Sequence, residues 1–228
     1  ILTKIYLENL IEENSVKCFL ENLFFAKDFF EEDNVPRKLT KESQIGLYGE
    51  IYVLSKILTK KLANEIVISS WTGPSKKHDF TTENKLIEVK TTVTNTKKIN
   101  TSSTNQIAPV FDKRLELVFL QMKKSNTGLS LNEIIDEYTN KLKSESELLH
   151  NDFLLKLTQC NYLDMHREEY KEKYLIDESN FYQIRENFPH IKSVETPSEI
   201  SDLSITYKID LDKCEEFIIN EEKLLEKL

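Results

Sequence analysis

A chain of 228 residues with 39% hydrophobic and 31% charged side chains can bury one sizeable core, and its formal net charge of −8 argues at first sight against a polyanionic partner. No apolar run reaches membrane-spanning length and the start has no signal-peptide pattern, so a soluble, cytoplasmic protein without a membrane partner is expected. Cys18, Cys160 and Cys214 have no metal-type spacing, and His78, His150, His166 and His190 are scattered, which predicts reduced thiols and no zinc site.

The charge is unevenly placed. Residues 56–124 carry 13 Lys/Arg against 6 Asp/Glu, while the segments on either side are both acidic. An enzyme acting on a polyanion needs positive potential only where the polyanion docks. Lysines gathered by chance on a solvated face are the plain alternative.

In chain order, Ile1 stands where Met is usual, which predicts a fragment whose larger N-terminal region is missing. Residues 1–40 read as a helical N-terminal segment, with Phe19, Leu20, Leu23 and Phe24 on an apolar face. That face either packs on the core or docks the missing region or a second subunit. Glu31–Lys41, with Pro36, reads as a loop. A helix is expected from about Lys41 to Lys61, N-capped by Thr40 or Ser43, with Leu47, Ile51, Leu54 and Leu58 as its stripe. Glu50 falls about 60° from Leu47 at the edge of that stripe. A carboxylate aimed there needs a partner or a metal, unless it snorkels to water or pairs with a lysine. Gly46 and Gly49 each cost such a helix about 1 kcal/mol, which close approach to a sheet, or a kink, explains.

Glu65–Trp71 reads as a short buried strand, and Thr72-Gly73-Pro74 as a turn that brings Lys76 and Lys77 where they could meet a phosphate. His78–Thr82 and Lys85–Val93 flank Glu83-Asn84, a two-residue hairpin turn. Folding the runs on that turn pairs residues whose numbers sum to 167, which sets Asp79 opposite Glu88. Glu88 and Lys90 then share one face of their strand while Ile87 and Val89 take the other. Facing carboxylates destabilise a sheet unless a cation sits between them. Alternation sends His78 to the face opposite Asp79, where packing or a backbone bond is its expected role. Thr91–Gln106 is rich in hydroxyl and amide groups that suit phosphate and sugar, or an ordinary exposed loop.

Leu115–Met122 reads as the fourth strand. A helix from about Ser130 to Leu149 follows, burying Leu131, Ile134, Ile135, Tyr138 and Leu142, then a second over 151–160. Tyr174–Arg185 reads as a strand pair or hairpin, Leu203–Leu211 as a strand, and Asp212–Leu228 as a final acidic helix. The expected division is 1–40, a core over 41–150, and an α+β extension over 151–228 packed on that core.

The arrangement Asp79, eight residues, Glu88-Val89-Lys90, together with the blocks G-L-Y-G-E, W-T-G-P, H-D-F and I-E-V-K-T-T over Gly46–Thr92, resembles the PD-(D/E)xK nuclease-like superfamily. It is similar in particular to one bacterial group within it that is linked to restriction and phage-defence loci. The resemblance implies an α/β (α+β), restriction-endonuclease-like core with a mixed central sheet of about four strands flanked by helices. It implies a deoxyribonuclease dependent on Mg²⁺ (or Mn²⁺), with Asp79, Glu88 and the Val89 carbonyl as metal ligands. Lys90 would orient or help deprotonate the attacking water, and Glu50 would be the acid from the helix before the hairpin. Lys76, Lys77, Thr91, Thr92 and Gln106 are the expected nucleic-acid contacts; the resemblance marks Gln106 without giving it a chemistry. DNA is the expected substrate, with a homodimer or a partner subunit of a defence complex. The alternatives are an inactive nuclease-like domain that binds nucleic acid or partner proteins, and a nuclease acting on RNA or branched DNA.

Overall fold

A computed structural model describes residues 37–74, 76–101, 103–104, 106–191 and 205–228. The chain divides into two units, Ile1–Lys38 and Leu39–Leu228. The helices expected over 1–30, and Cys18, lie outside the described residues.

The second unit is organised on a mixed five-stranded sheet in the order β1 (Phe80–Thr81), β2 (Lys85–Thr92), β4 (Arg114–Ser130), β5 (Lys173–Ile184), β7 (Ile218–Ile219). β2 and β4 run parallel, and the other neighbours are antiparallel. β3 (Lys98–Asn100) and β6 (Lys208–Asp210) form a separate two-stranded ribbon. Among the described residues the α-helices are α1 (Lys41–Tyr52), α2 (Asn64–Ser70), α3 (Leu131–Glu145), α4 (Glu147–Gln159) and α5 (Glu221–Leu224). This is the α+β, restriction-endonuclease-like architecture expected, with one strand more than the four anticipated.

Alternation along the strands sorts the core into two layers. Ile87, Val89, Val118 and Leu120 face the helices and pack with Ile51, Leu54, Val67, Ile134, Tyr138 and Phe153. Leu115, Leu117, Phe119 and Tyr182 face the other way, onto Ile99, Ile107, Phe188, Ile209 and Phe217. Thr40 caps α1 by accepting from Ser43 N–H at 3.1 Å, and beyond Tyr52 the helix continues through a π-helical turn to Lys60. Gly49 faces Thr91 so closely that a Cβ there would sit 1.8 Å from the threonine Oγ1. Close approach of helix to sheet, not a kink, accounts for the glycine at that position.

Several expected elements differ. Glu65–Trp71 is not a strand: Asn64–Ser70 is helical, burying Val67 and Ile68 while Ile66 stays half exposed. A short β-branched run has no period to distinguish the two states. The two helices expected over about Ser130–Leu149 and 151–160 are present as α3 and α4, but the break falls earlier, at Ser146, whose backbone is extended and whose side chain caps α4; the buried face of α3 is the expected one. Tyr174–Arg185 is one strand rather than a hairpin. Its polar centre pairs with β4, Glu178 beside Gln121 and Asn180 beside Phe119, across a register shift between Gln121 and Met122 that leaves Asp177 without a ladder partner, and Lys97 and Lys123 neutralise Glu178 and Asp177. Of the strand expected over Leu203–Leu211 the described residues keep Lys208–Asp210. The final acidic helix is replaced by tight turns, β7 and the four-residue α5. Leu211 and Phe217 belong to one core layer and Leu224 and Leu225 to the other, and a continuous helix with one apolar face cannot serve both. β5 and β7 lie in the same sheet as β2, so the region after residue 150 completes the sheet.

Candidate functional site

The β1–β2 hairpin sets the site. Its turn is closed by Thr82 N–H donating to Lys85 O at 2.9 Å. The ladder pairs Phe80 with Ile87 and Thr81 with Leu86, the register expected. Pairing ends at Phe80, which bridges to Trp71, while Thr72 N–H donates to Asp79 O at 3.0 Å. Asp79 therefore leaves the ladder, and its Oδ2 accepts the Val89 N–H at 2.7 Å. A carboxylate has taken the place of the next backbone partner. In an extended strand the N–H and C=O of one residue leave on the same edge, so the Val89 carbonyl lies on the edge that Asp79 occupies.

Glu88 and Lys90 share the opposite face of β2, as alternation requires. The Glu88 carboxylate is buried, with Oε1 accepting from Gln106 Nε2 at 2.8 Å and ion-paired with Lys90 Nζ at 2.7 Å. Its Oε2 has no hydrogen-bond partner and lies 3.5 Å from His78 Nδ1. Glu50, on α1, is half-buried and accepts from the Trp71 indole N–H at 2.8 Å. Trp71 is itself locked through its carbonyl by Lys156.

The carboxylates act on one another. Burial, then the charge of Glu88, pushes Glu50 up to about 7 against the Trp71 bond and Lys90. Burial, then Glu88 and Glu50, holds Asp79 well above the usual carboxylate range, opposed by the Val89 N–H and Lys90. A thiol joins this setting: burial and then Glu50 push Cys160 up, which favours its neutral form.

A raised carboxylate pKa stabilises the fold below the unfolded value and loses that contribution as pH rises through the folded one. For Glu50 the window runs from the ordinary glutamate value of 4.5 to about 7, and the full shift is worth roughly 3 kcal/mol. Without added metal the protein is expected to melt several degrees higher at pH 5.5 than at pH 8. Scanning calorimetry of Glu50→Gln should show that slope reduced; an unchanged slope would remove Glu50 as its source.

Lys76 and Lys77 are exposed on the rim of a cleft of about 490 Å³, lined also by Gly73, Pro74, Asp79, Ser103 and Gln106. Gly73 turns the chain at φ +67°, which a side chain would resist. Of the expected nucleic-acid contacts, Lys76, Lys77 and Gln106 gather here. Thr91 does not: its hydroxyl is buried against Gly49, out of reach of a nucleic acid. The Thr92 hydroxyl is bonded to Thr94. His78 is also corrected. Residues 76–79 form a bend rather than strand, so alternation does not apply, and the buried imidazole lies beside Glu88. The partnerships of Trp71 and Lys156 had no sequence signal, because each joins elements far apart in the chain.

Among the described residues no group of three or more His, Cys, Asp or Glu could hold a metal ion by itself. The donors nonetheless fit a small divalent ion completed by water, since such ions prefer oxygen ligands and keep several waters. The fit rests on the buried, unpartnered Glu88 Oε2 and on carboxylates whose mutual repulsion a cation would relieve. Among the described residues no helix is long and apolar enough to cross a membrane.

A family model described as "Putative PD-(D/E)XK family member, (DUF4420)" matches residues 7–212. No curated protein and no solved structure matches the chain.

Proposed function

Because the chain belongs to the PD-(D/E)XK family that matches over residues 7–212, we propose that it is a metal-dependent DNA endonuclease of a bacterial restriction or phage-defence system. The observation that carries this reading is the Asp79 carboxylate bound to the Val89 N–H at the point where β1 parts from β2. It brings an acidic edge next to the Glu88–Lys90 pair, with Glu50 near enough to raise the Asp79 pKa.

Asp79, Glu88 and the Val89 carbonyl would hold the ion, Mg²⁺ or Mn²⁺. When bound, such an ion lowers the pKa of water and neutralises charge on a phosphodiester. The chain's own groups do the rest. Lys90, whose ammonium already lies on Glu88, orients the attacking water and stabilises charge gathering on the phosphate oxygens. Lys76 and Lys77 on the cleft rim hold the backbone of the polyanion. Glu50, fixed by Trp71, keeps a further acceptor at the same edge. The local excess of lysine over 56–124 is consistent with a DNA path across this face of an otherwise acidic chain.

The test is cleavage of supercoiled plasmid by the purified chain in Mg²⁺ or Mn²⁺, beside Asp79→Ala. Cutting by the wild type and none by the variant is the expected result. Binding of DNA without cutting in any divalent ion would replace this reading with that of a nuclease-like binding domain. Cutting that survives in Asp79→Ala would remove the site.

A further inference from the structure

The Glu88 carboxylate is held unequally. Oε1 accepts a hydrogen bond from Gln106 Nε2 at 2.8 Å and is ion-paired with Lys90 Nζ at 2.7 Å, while Oε2 is buried with no hydrogen-bond partner, 3.5 Å from His78 Nδ1. A directional amide bond to one oxygen fixes the plane of the carboxylate and leaves the second oxygen as the open acceptor, whereas an ion pair is less directional. The two partners of Oε1 also differ in what else they can do. Lys90 is partly exposed and carries the only charge of the pair. Gln106 comes from the loop between β3 and β4 and lines the cleft beside Asp79 and Lys77.

We propose that Gln106 is a positioning residue: its amide keeps Glu88 Oε1 satisfied, so that Oε2 stays aimed for an ion and Lys90 can leave Glu88 to meet water or phosphate. Without the amide, Lys90 is the one remaining partner of Oε1, and its departure leaves that buried oxygen with no donor. The role differs from a contact to nucleic acid, although the residue borders the cleft. It gives the loop between β3 and β4 a direct hold on the acidic edge.

The inference rests on the nuclease reading for its rate measurement, but not for ion binding. The probe is Mn²⁺ alone, titrated calorimetrically into the full chain and into Gln106→Met, which keeps the side chain's bulk and loses its donor. Partners one step removed from a metal ligand typically change affinity or activity 10–100-fold. The Mn²⁺ Kd is therefore expected to rise about 10-fold, with kcat for plasmid cutting falling about 10–100-fold and KM changing little. In a Glu88→Gln background the same substitution should leave the Mn²⁺ Kd unchanged, because both act through one carboxylate. That coupling also separates positioning from general loosening of the fold. A higher KM at constant kcat and constant Mn²⁺ Kd would make Gln106 a DNA contact and overturn the proposal. Additive effects of the two substitutions on Kd would overturn it as well. A wild type that binds Mn²⁺ but cuts nothing would fail the nuclease reading, leaving the Kd comparison to decide this one. A wild type that binds no Mn²⁺ would end both.

Discussion

Lys90→Met is expected to lower the rate of DNA cutting by roughly 10²–10³-fold, the usual cost of removing one group that stabilises developing charge, while Mn²⁺ binds at least as tightly as in the wild type. The two halves of this result have opposite origins. In the resting protein the ammonium sits 2.7 Å from Glu88 Oε1 and is a cation competing with any ion for that carboxylate. It also opposes the upward shifts of Asp79 and Glu50. Removing it leaves a more negative edge, which attracts a divalent ion more strongly. The step that needs the amine, holding water and countering charge on the phosphate, is then lost. Asp79→Ala should lose ion binding and cutting together, so the pair of variants divides ligand from catalyst. Single-turnover cleavage beside calorimetric Mn²⁺ titration reads both. If Lys90→Met bound Mn²⁺ more weakly, the lysine would be holding Glu88 in place for the ion, and its assignment to the chemical step would fail.

The site was legible in the sequence where it is local. A two-residue turn fixes a register, and the register fixes parity, so Phe80 against Ile87 and Glu88 beside Lys90 follow from spacing. Glu50 was legible from the helical wheel, because a carboxylate at the edge of an apolar stripe must find a partner; Trp71 supplies it. What spacing could not give is where a strand stops. Asp79 was expected inside the ladder, facing Glu88 across two strands. It lies one residue past the last pair, and its side chain replaces the missing backbone partner. The same early end carried His78 to the Glu88 side. Thr91 was misjudged for a different reason: composition marks a hydroxyl, but only packing reveals that Gly49 lies on top of it. The segment after Asp212 shows the limit from the other direction. Its apolar residues are helically spaced, yet they belong to two layers on opposite sides of the sheet.

The largest stability effect is expected at Lys85, at the start of the strand that carries Glu88 and Lys90. Its side chain is fully buried, and the ammonium donates to Glu116 at 3.1 Å and to the carbonyls of Lys223 and Leu224 at 3.1 and 2.5 Å. One cation thereby ties β2 to β4 and to α5. Desolvation lowers the Lys85 pKa and raises that of Glu116, each partly offset by the other. The pair is therefore poor evidence of net stabilisation, but breaking it is costly: a single buried charge left behind typically costs 3–5 kcal/mol. Lys85→Met should lower the melting temperature by roughly 6–20 °C, at about 2–4 °C per kcal/mol for a protein of this size. Lys85→Met with Glu116→Leu should recover most of that loss, because an apolar pair of similar volume asks for no charge compensation. Thermal melts of the two variants decide the matter, since additive losses would show that the ammonium matters through the α5 carbonyls rather than through Glu116. In either case Glu88 and Lys90 remain in register with β4 through the Glu88–Leu117 and Lys90–Phe119 pairs. The stabilised double variant should therefore keep whatever Mn²⁺ affinity the wild type has.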